Sequence, residues 1–88
     1  MSDMNIQLRF FASVREALGT SQETLAVPAR VRTIADLREF LRERGDAWAE
    51  ALAEGRALRV AYNQQMADAN TPLSEGCEVA FFPPVTGG

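Results

Sequence analysis

Eighty-eight residues carrying nine arginines, twelve acids, no lysine and no histidine give a formal net charge of −3 and room for a single domain. No basic stripe is present to meet a phosphate backbone, so nucleic acid is not an expected partner. The missing lysine and histidine remove Schiff-base chemistry, the usual general base at neutral pH and the commonest transition-metal ligand.

The first ten residues, MSDMNIQLRF, hold an acid early and no long apolar run. They predict neither a signal peptide nor a membrane span. From Asn5 to Phe11 the chain alternates: Ile6, Leu8 and Phe10 point one way, Gln7, Arg9 and Phe11 the other. That is a strand with one buried face, and Phe11 is an aromatic on its polar side. ASVREALG follows as a short helix, with Val14 and Leu18 four apart and Gly19 as its stop. QETLAV is a second strand, Leu25 and Val27 on one side, ended by Pro28.

TIADLREFLRERG is the clearest helix. Thr33 is its N-cap, with Asp36 in the acidic first turn. Ile34, Leu37, Phe40 and Leu41 form the inward stripe, Arg38, Glu39, Arg42 and Glu43 the wet side, and Gly45 the end. DAWAEALAEG is a shorter helix capped by Asp46, with Trp48 and Leu52 one turn apart and Gly55 as terminator. In ALRVAYN, Leu58, Val60 and Tyr62 alternate against Arg59 and Ala61. Asn63 and Gln64 predict a tight reversal into a short strand around Met66. NTPLSEGCEV is turn-rich, and CEVAFF is the last strand, with Cys77, Val79 and Phe81 inward and Glu78, Ala80 and Phe82 outward.

This order predicts an α+β domain: a small mixed sheet with the main helix across one face, and the last strand apolar enough to be central. A chain this short buries only about 60–65% of its unfolded surface. It has little room for both a core and a deep cleft, which favours a protein that works with a partner. Cys77 is the only cysteine, so no internal disulfide forms, as expected of a reducing cytoplasm. Its inward position predicts a buried, inert thiol. Asp36, Glu39 and Glu43 read as a solvated helix face rather than paired catalytic carboxylates, and Trp48 reads as packing.

The chain ends in FFPPVTGG. Pro83 and Pro84 cannot continue a strand, because each lacks the N–H a ladder needs, and they favour an extended, stiff geometry. Val85 and Thr86 are restricted at χ1, and only Gly87 and Gly88 are thin. A frayed end needs no rigid lead-in, whereas a probe entering a narrow channel does. Six residues from Pro83 reach about 20 Å. The bare carboxylate at the tip is ionised at neutral pH and a poor electrophile. Converted by ATP to an acyl adenylate, it becomes one that a sulfur nucleophile attacks.

Over nearly its whole length the sequence resembles the small, sulfur-carrying subunits of molybdopterin synthase. LRFFASVRE (Leu8 to Glu16), YNQQ (with Asn63 and Gln64) and above all EVAFFPPVTGG (Glu78 to Gly88) carry the resemblance. It implies a β-grasp (ubiquitin-like) fold of about five strands on one main helix plus short helices. Residues 1–82 would be that domain and 83–88 an extended diglycine tail. It also implies adenylation of Gly88 by an ATP-dependent activating enzyme and conversion to a thiocarboxylate by a sulfurtransferase system. The tail, Pro83 to Gly88, would enter the large subunit's active site and donate sulfur to cyclic pyranopterin monophosphate in molybdenum cofactor biosynthesis. The family assembly is a heterotetramer with a central large-subunit dimer. The small subunit is expected to bind no cofactor or metal and to bring no catalytic groups beyond Gly88 and Gly87; ATP belongs to the activating enzyme.

The resemblance places Phe11, Arg15, Met66 and Phe82 at the partner-binding face, beside the tail root; if their strands are neighbours, Phe11 and Phe82 form one apolar patch. Three other readings stay open: a thiamine-pathway sulfur carrier, against which the FFPPVTGG ending argues; a ubiquitin-like protein modifier; and an interaction domain with an inert tail.

Overall fold

In the computed structural model, which describes residues 3–53, 55 and 57–84, the period-two pattern of the first strand becomes a two-faced sheet. β1 (Met4–Phe10) buries Ile6, Leu8 and Phe10 and exposes Asn5, Gln7 and Arg9. It pairs antiparallel with β2 (Gln22–Val27), whose Val27 is buried opposite Met4. On its other side β1 runs parallel to β5 (Glu78–Phe82). Beyond β5 lie β3 (Arg59–Tyr62) and then β4 (Gln65–Met66), both antiparallel to their neighbours. The strand order β2-β1-β5-β3-β4 puts the last strand in the centre, where its apolar run is protected on both edges. This mixed sheet, with its helices and one core, is the β-grasp arrangement.

Three helices connect the strands: α1 (Ala12–Leu18), α2 (Ile34–Arg42) and α3 (Asp46–Ala51). α2 sets Ile34, Leu37 and Leu41 into one buried cluster with Ile6, Leu8, Phe10, Val79 and Phe81 from the sheet. Cys77 is buried in the same cluster. Val14 of α1, Val27 of β2, and Leu52, Val31 and Leu73 from connecting segments complete it. Phe10 stacks on Phe81 with centroids 6.3 Å apart, and Trp48 meets Phe10 edge-on at 5.6 Å. The Arg44 guanidinium lies 4.3 Å over the Trp48 ring.

Thr33 caps α2 reciprocally. Its hydroxyl accepts from the Asp36 N–H at 3.2 Å, and the Asp36 carboxylate accepts from the N–H groups of Arg32 at 3.0 Å and Thr33 at 3.2 Å. The Arg32 backbone donor, with help from those of Thr33, holds the Asp36 carboxyl below its ordinary range. A carboxyl more acidic folded than unfolded contributes stability fully above its unfolded pKa and loses it as pH falls through the folded value. Between about pH 5 and pH 2, Asp36→Asn should therefore flatten the fall in urea midpoint seen in the parent chain. Identical acid slopes would show that the box plays no part in acid unfolding.

Three helix boundaries differ from the sequence reading. α2 ends at Arg42 with Glu43 as its cap, and Gly45 starts α3 instead of ending α2. At φ 149° and ψ 179° Gly45 occupies backbone space that is essentially reserved for glycine. Its carbonyl accepts from the Ala49 N–H at 2.9 Å, so Asp46 is the first helical residue and not the cap. α3 stops at Ala51, before Gly55. Arg38 also departs from its expected wet position. It is half-buried, its Nε donates to the Leu52 carbonyl at 2.7 Å and its Nη2 to that of Ala53, so it ties the end of α3 to α2. The reversal between β3 and β4 is as expected: Asn63 and Gln64 both have positive φ, 50° and 71°, the two-residue hairpin geometry.

Candidate functional site

Because β1 and β5 are parallel neighbours, their C-terminal ends emerge side by side. The register pairs Arg9 with Ala80 and Phe10 with Phe81. The ladder runs one bond further, the Phe11 N–H donating to the Phe81 carbonyl at 3.2 Å. β1 itself ends at Phe10. Phe11 is the extended N-cap of α1, not the last strand residue of the sequence reading, because α1 begins at once and turns the chain away. It is 42% exposed. Phe82 ends β5 opposite Arg59 and is half-buried. The two aromatics therefore flank the root from which Pro83 and Pro84, both half-buried, follow. Val85, Thr86, Gly87 and Gly88 lie outside the described residues, and with them most of the expected tail.

Residues paired across a ladder share a face. The register sets Arg9, Ala80, Ala61 and Met66 in one row across β1, β5, β3 and β4, on the face turned away from the helices. Arg59 and Phe82 form the next row. Met66 is 63% exposed, two strand spacings from β5, or about 10 Å. Ala80, expected to be outward, is on this outer face but only 5% exposed: a methyl in the central strand is covered by its flanking strands and larger neighbours. The centre is thus shallow and apolar, with taller side chains around it. Arg15 is exposed one turn into α1, its N–H donating to the Phe11 carbonyl at 3.3 Å. The Arg9 guanidinium lies 6.0 Å from the Phe11 ring centroid.

Arg9, Arg59, Ala61 and Ala80 were not singled out in the sequence. Only strand register shows that they adjoin Phe11, Phe82 and Met66, and a parallel pairing between the first and last strands is not readable from alternation alone. The carboxylates set aside as structural are engaged structurally. Asp36 serves the cap, Glu39 pairs with Arg42 at 2.8 Å and Glu43 approaches Arg30 at 3.8 Å. Among the described residues no three Cys, Asp or Glu side chains cluster to hold a metal ion. None of their helices is long and apolar enough to cross a membrane.

This face offers apolar area with an arginine rim, beside Pro83 and Pro84, from which the sequence continues to two glycines. Residues 8–88 match the model of the ThiS family. The molybdopterin synthase sulfur carrier subunit of Escherichia coli (strain K12) is 46% identical over 83 residues, covering 94% of this chain and 99% of that protein. Its counterpart from Haemophilus influenzae (strain ATCC 51907 / DSM 11121 / KW20 / Rd) is 40% identical over the same extents. In the solved complex of subunits 1 and 2 of molybdopterin-converting factor from Helicobacter pylori 26695, one chain superposes with a TM-score of 0.63 at 30% identity, over 97% of this chain and 100% of that one. The chain belongs to the ThiS family.

Proposed function

We propose that this protein is the sulfur-carrier subunit of a molybdopterin synthase. The observation that carries the reading is near full-length similarity to two molybdopterin synthase sulfur carrier subunits, at 46% and 40% identity. The superposition on a chain from a two-subunit molybdopterin-converting factor complex supports a large-subunit partner. The sequence reading of the tail supplies the chemistry. An activating enzyme joins the Gly88 carboxylate to AMP, with pyrophosphate leaving from ATP. A hydrosulfide-level nucleophile then attacks the acyl carbon; a C–S bond forms, the C–O bond to AMP breaks with AMP as the leaving group, and the sulfur's proton is lost, leaving a thiocarboxylate. That group donates sulfur to cyclic pyranopterin monophosphate inside the large subunit, which supplies the acid–base groups, and two transfers complete the dithiolene. ATP is consumed by the activating enzyme, and this chain needs no cofactor of its own. The assembly is a heterotetramer built on a large-subunit dimer.

In this reading Phe11, Phe82 and Met66, with Arg15 at the edge, form the docking face, and residues 83–88 form the inserted arm. Large aromatics and arginine carry a disproportionate share of interface energy. Replacing Phe82 by Asp puts a charge into an apolar contact without touching the buried cluster. Affinity for the large subunit, measured by calorimetry, should fall about thirty-fold or more, the scale of losing one ~2 kcal/mol anchor. Parent-like binding by a folded Phe82→Asp chain would remove this face from the interface.

A further inference from the structure

The sheet has two edges, and the fold protects only one of them. β4 is two residues long, too short to template another strand. β2, at the other end of the strand order, is six residues, QETLAV, with no proline and no lysine. Its single charge, Glu23, is drawn to the helix side, where its carboxylate oxygens accept from the Arg44 guanidinium at 3.1 and 3.0 Å. The ladder fixes which backbone groups are already paired. The Phe10 N–H donates to the Ser21 carbonyl at 2.9 Å, one step beyond the Arg9–Gln22 pair. Antiparallel bonding alternates, so Glu23, Leu25 and Val27 turn their N–H and C=O groups to β1. Gln22, Thr24 and Ala26 turn theirs to the open edge, and their side chains are neutral and exposed. The Thr20 hydroxyl donates to the Gln22 carbonyl at 3.0 Å. Among the described residues nothing meets the N–H or C=O groups of Thr24 and Ala26.

We propose that this edge pairs two copies of the chain, β2 against β2, antiparallel about a two-fold axis at Thr24. Self-pairing has one register that uses the whole edge. Thr24 faces its counterpart and Gln22 faces Ala26, which gives about six backbone hydrogen bonds, two for each pair. A slip in one direction sets Gln22 against Pro28, which has no N–H. A slip in the other sets Ala26 against Thr20, outside the strand. In the Thr24 register, Glu23 falls opposite Leu25 on the helix side, so like charges do not meet across the contact. Two six-residue edges make a contact at the small end of specific interfaces, so the pairing is weak and readily reversible. β1 lies between β2 and β5, and Phe82 and Met66 stay uncovered. The dimer is one continuous sheet whose two outer faces remain open to a further partner.

Sedimentation equilibrium of the full chain from about 10 μM to about 1 mM tests the pairing. The weight-average mass of the parent should rise toward twice that of the monomer. Thr24→Pro removes an outward N–H and no bond to β1, so the chain should fold, and its dimer dissociation constant should rise at least about ten-fold. Thr24→Lys should act likewise, by setting two ammonium groups side by side on the axis. Phe82→Asp, beyond β1, should associate like the parent. Near-ultraviolet circular dichroism confirms that each chain is folded. Cross-linking with oxidised glutathione reads the register. Paired Cα atoms lie about 5.5 Å apart, within disulfide range, so T24C should form a disulfide dimer. A26C should not, because its two thiols would sit about 13 Å apart along the strands. Cys77 is 3% exposed and takes no part. The proposal is overturned by a parent that stays monomeric at about 1 mM, or by folded Thr24 variants that associate as tightly as the parent. Loss of the dimer in Phe82→Asp, or A26C cross-linking as readily as T24C, also overturns it. Neither the pairing nor its test involves the tail or a sulfur acceptor.

Discussion

Removing Gly88 is expected to abolish sulfur delivery, by about a thousand-fold or more in a synthase reconstituted with the activating enzyme and the large subunit. The reason is positional. Shortening the chain by one residue withdraws the terminal carbonyl by about 3.5 Å. Displacing a reacting group by even 1 Å costs roughly a hundred-fold where catalysis depends on placement. Stability should be untouched, within about 0.5 kcal/mol, because the deleted residue is the last in the sequence, six positions after β5 ends at Phe82. Docking through Phe11, Phe82 and Met66 should persist, so the shortened chain should compete with the full one for the large subunit. An interaction domain with an inert tail would lose nothing.

The opposite dissociation is expected at Phe81. Its side chain is 1% exposed in the central strand and stacks on Phe10. Truncation to alanine removes a ring that the cluster cannot refill, at a cost of about 3–5 kcal/mol. A domain of this size has a total stability toward the low end of roughly 5–15 kcal/mol. Phe81→Ala should therefore populate the unfolded state at physiological temperature and lower the denaturant midpoint severely. Its neighbour Phe82 turns to the other face, so one residue along the strand separates a folding lesion from a docking lesion. Denaturation monitored by the Trp48 fluorescence beside Phe10 measures the difference. A Phe81→Ala chain with the parent midpoint would refute the placement of the core.

The elements most open to reading were those whose local chemistry admits one answer. Ile6, Leu8 and Phe10 alternate because one sheet face is dry, Thr33 and Asp36 have the spacing of a reciprocal cap, and Asn63-Gln64 suits a tight hairpin. Gly45 was ambiguous because glycine serves both as a helix stop and as an entry with extreme φ, and sequence does not separate the two. Arg38 looked solvated from helix periodicity, yet the unpaired carbonyls after α3 recruit its guanidinium. The proposed docking face was half legible. Phe11 and Phe82 were conspicuous as aromatics on outward positions, whereas Met66 and Arg15 were placed there by the resemblance alone. The row formed by Arg9, Ala80, Ala61 and Met66 depends on long-range register, which no local pattern encodes.

That register also bears on the arm proposed for residues 83–88. The strand feeding residues 83–88 is hydrogen-bonded on both sides, to β1 and to β3, so the arm's origin is fixed by two ladders. An edge strand would let its last residues fray and would blur the position of anything they carry.

The most direct measurement is the intact mass of the chain after incubation with its activating enzyme, ATP and a sulfur donor, followed by addition of large subunit and pterin precursor. Fragmentation should place a sulfur-for-oxygen gain at Gly88, and that gain should disappear as the dithiolene product forms. Product formation from a chain that never carries sulfur at Gly88, or sulfur found on Cys77 instead, would contradict it.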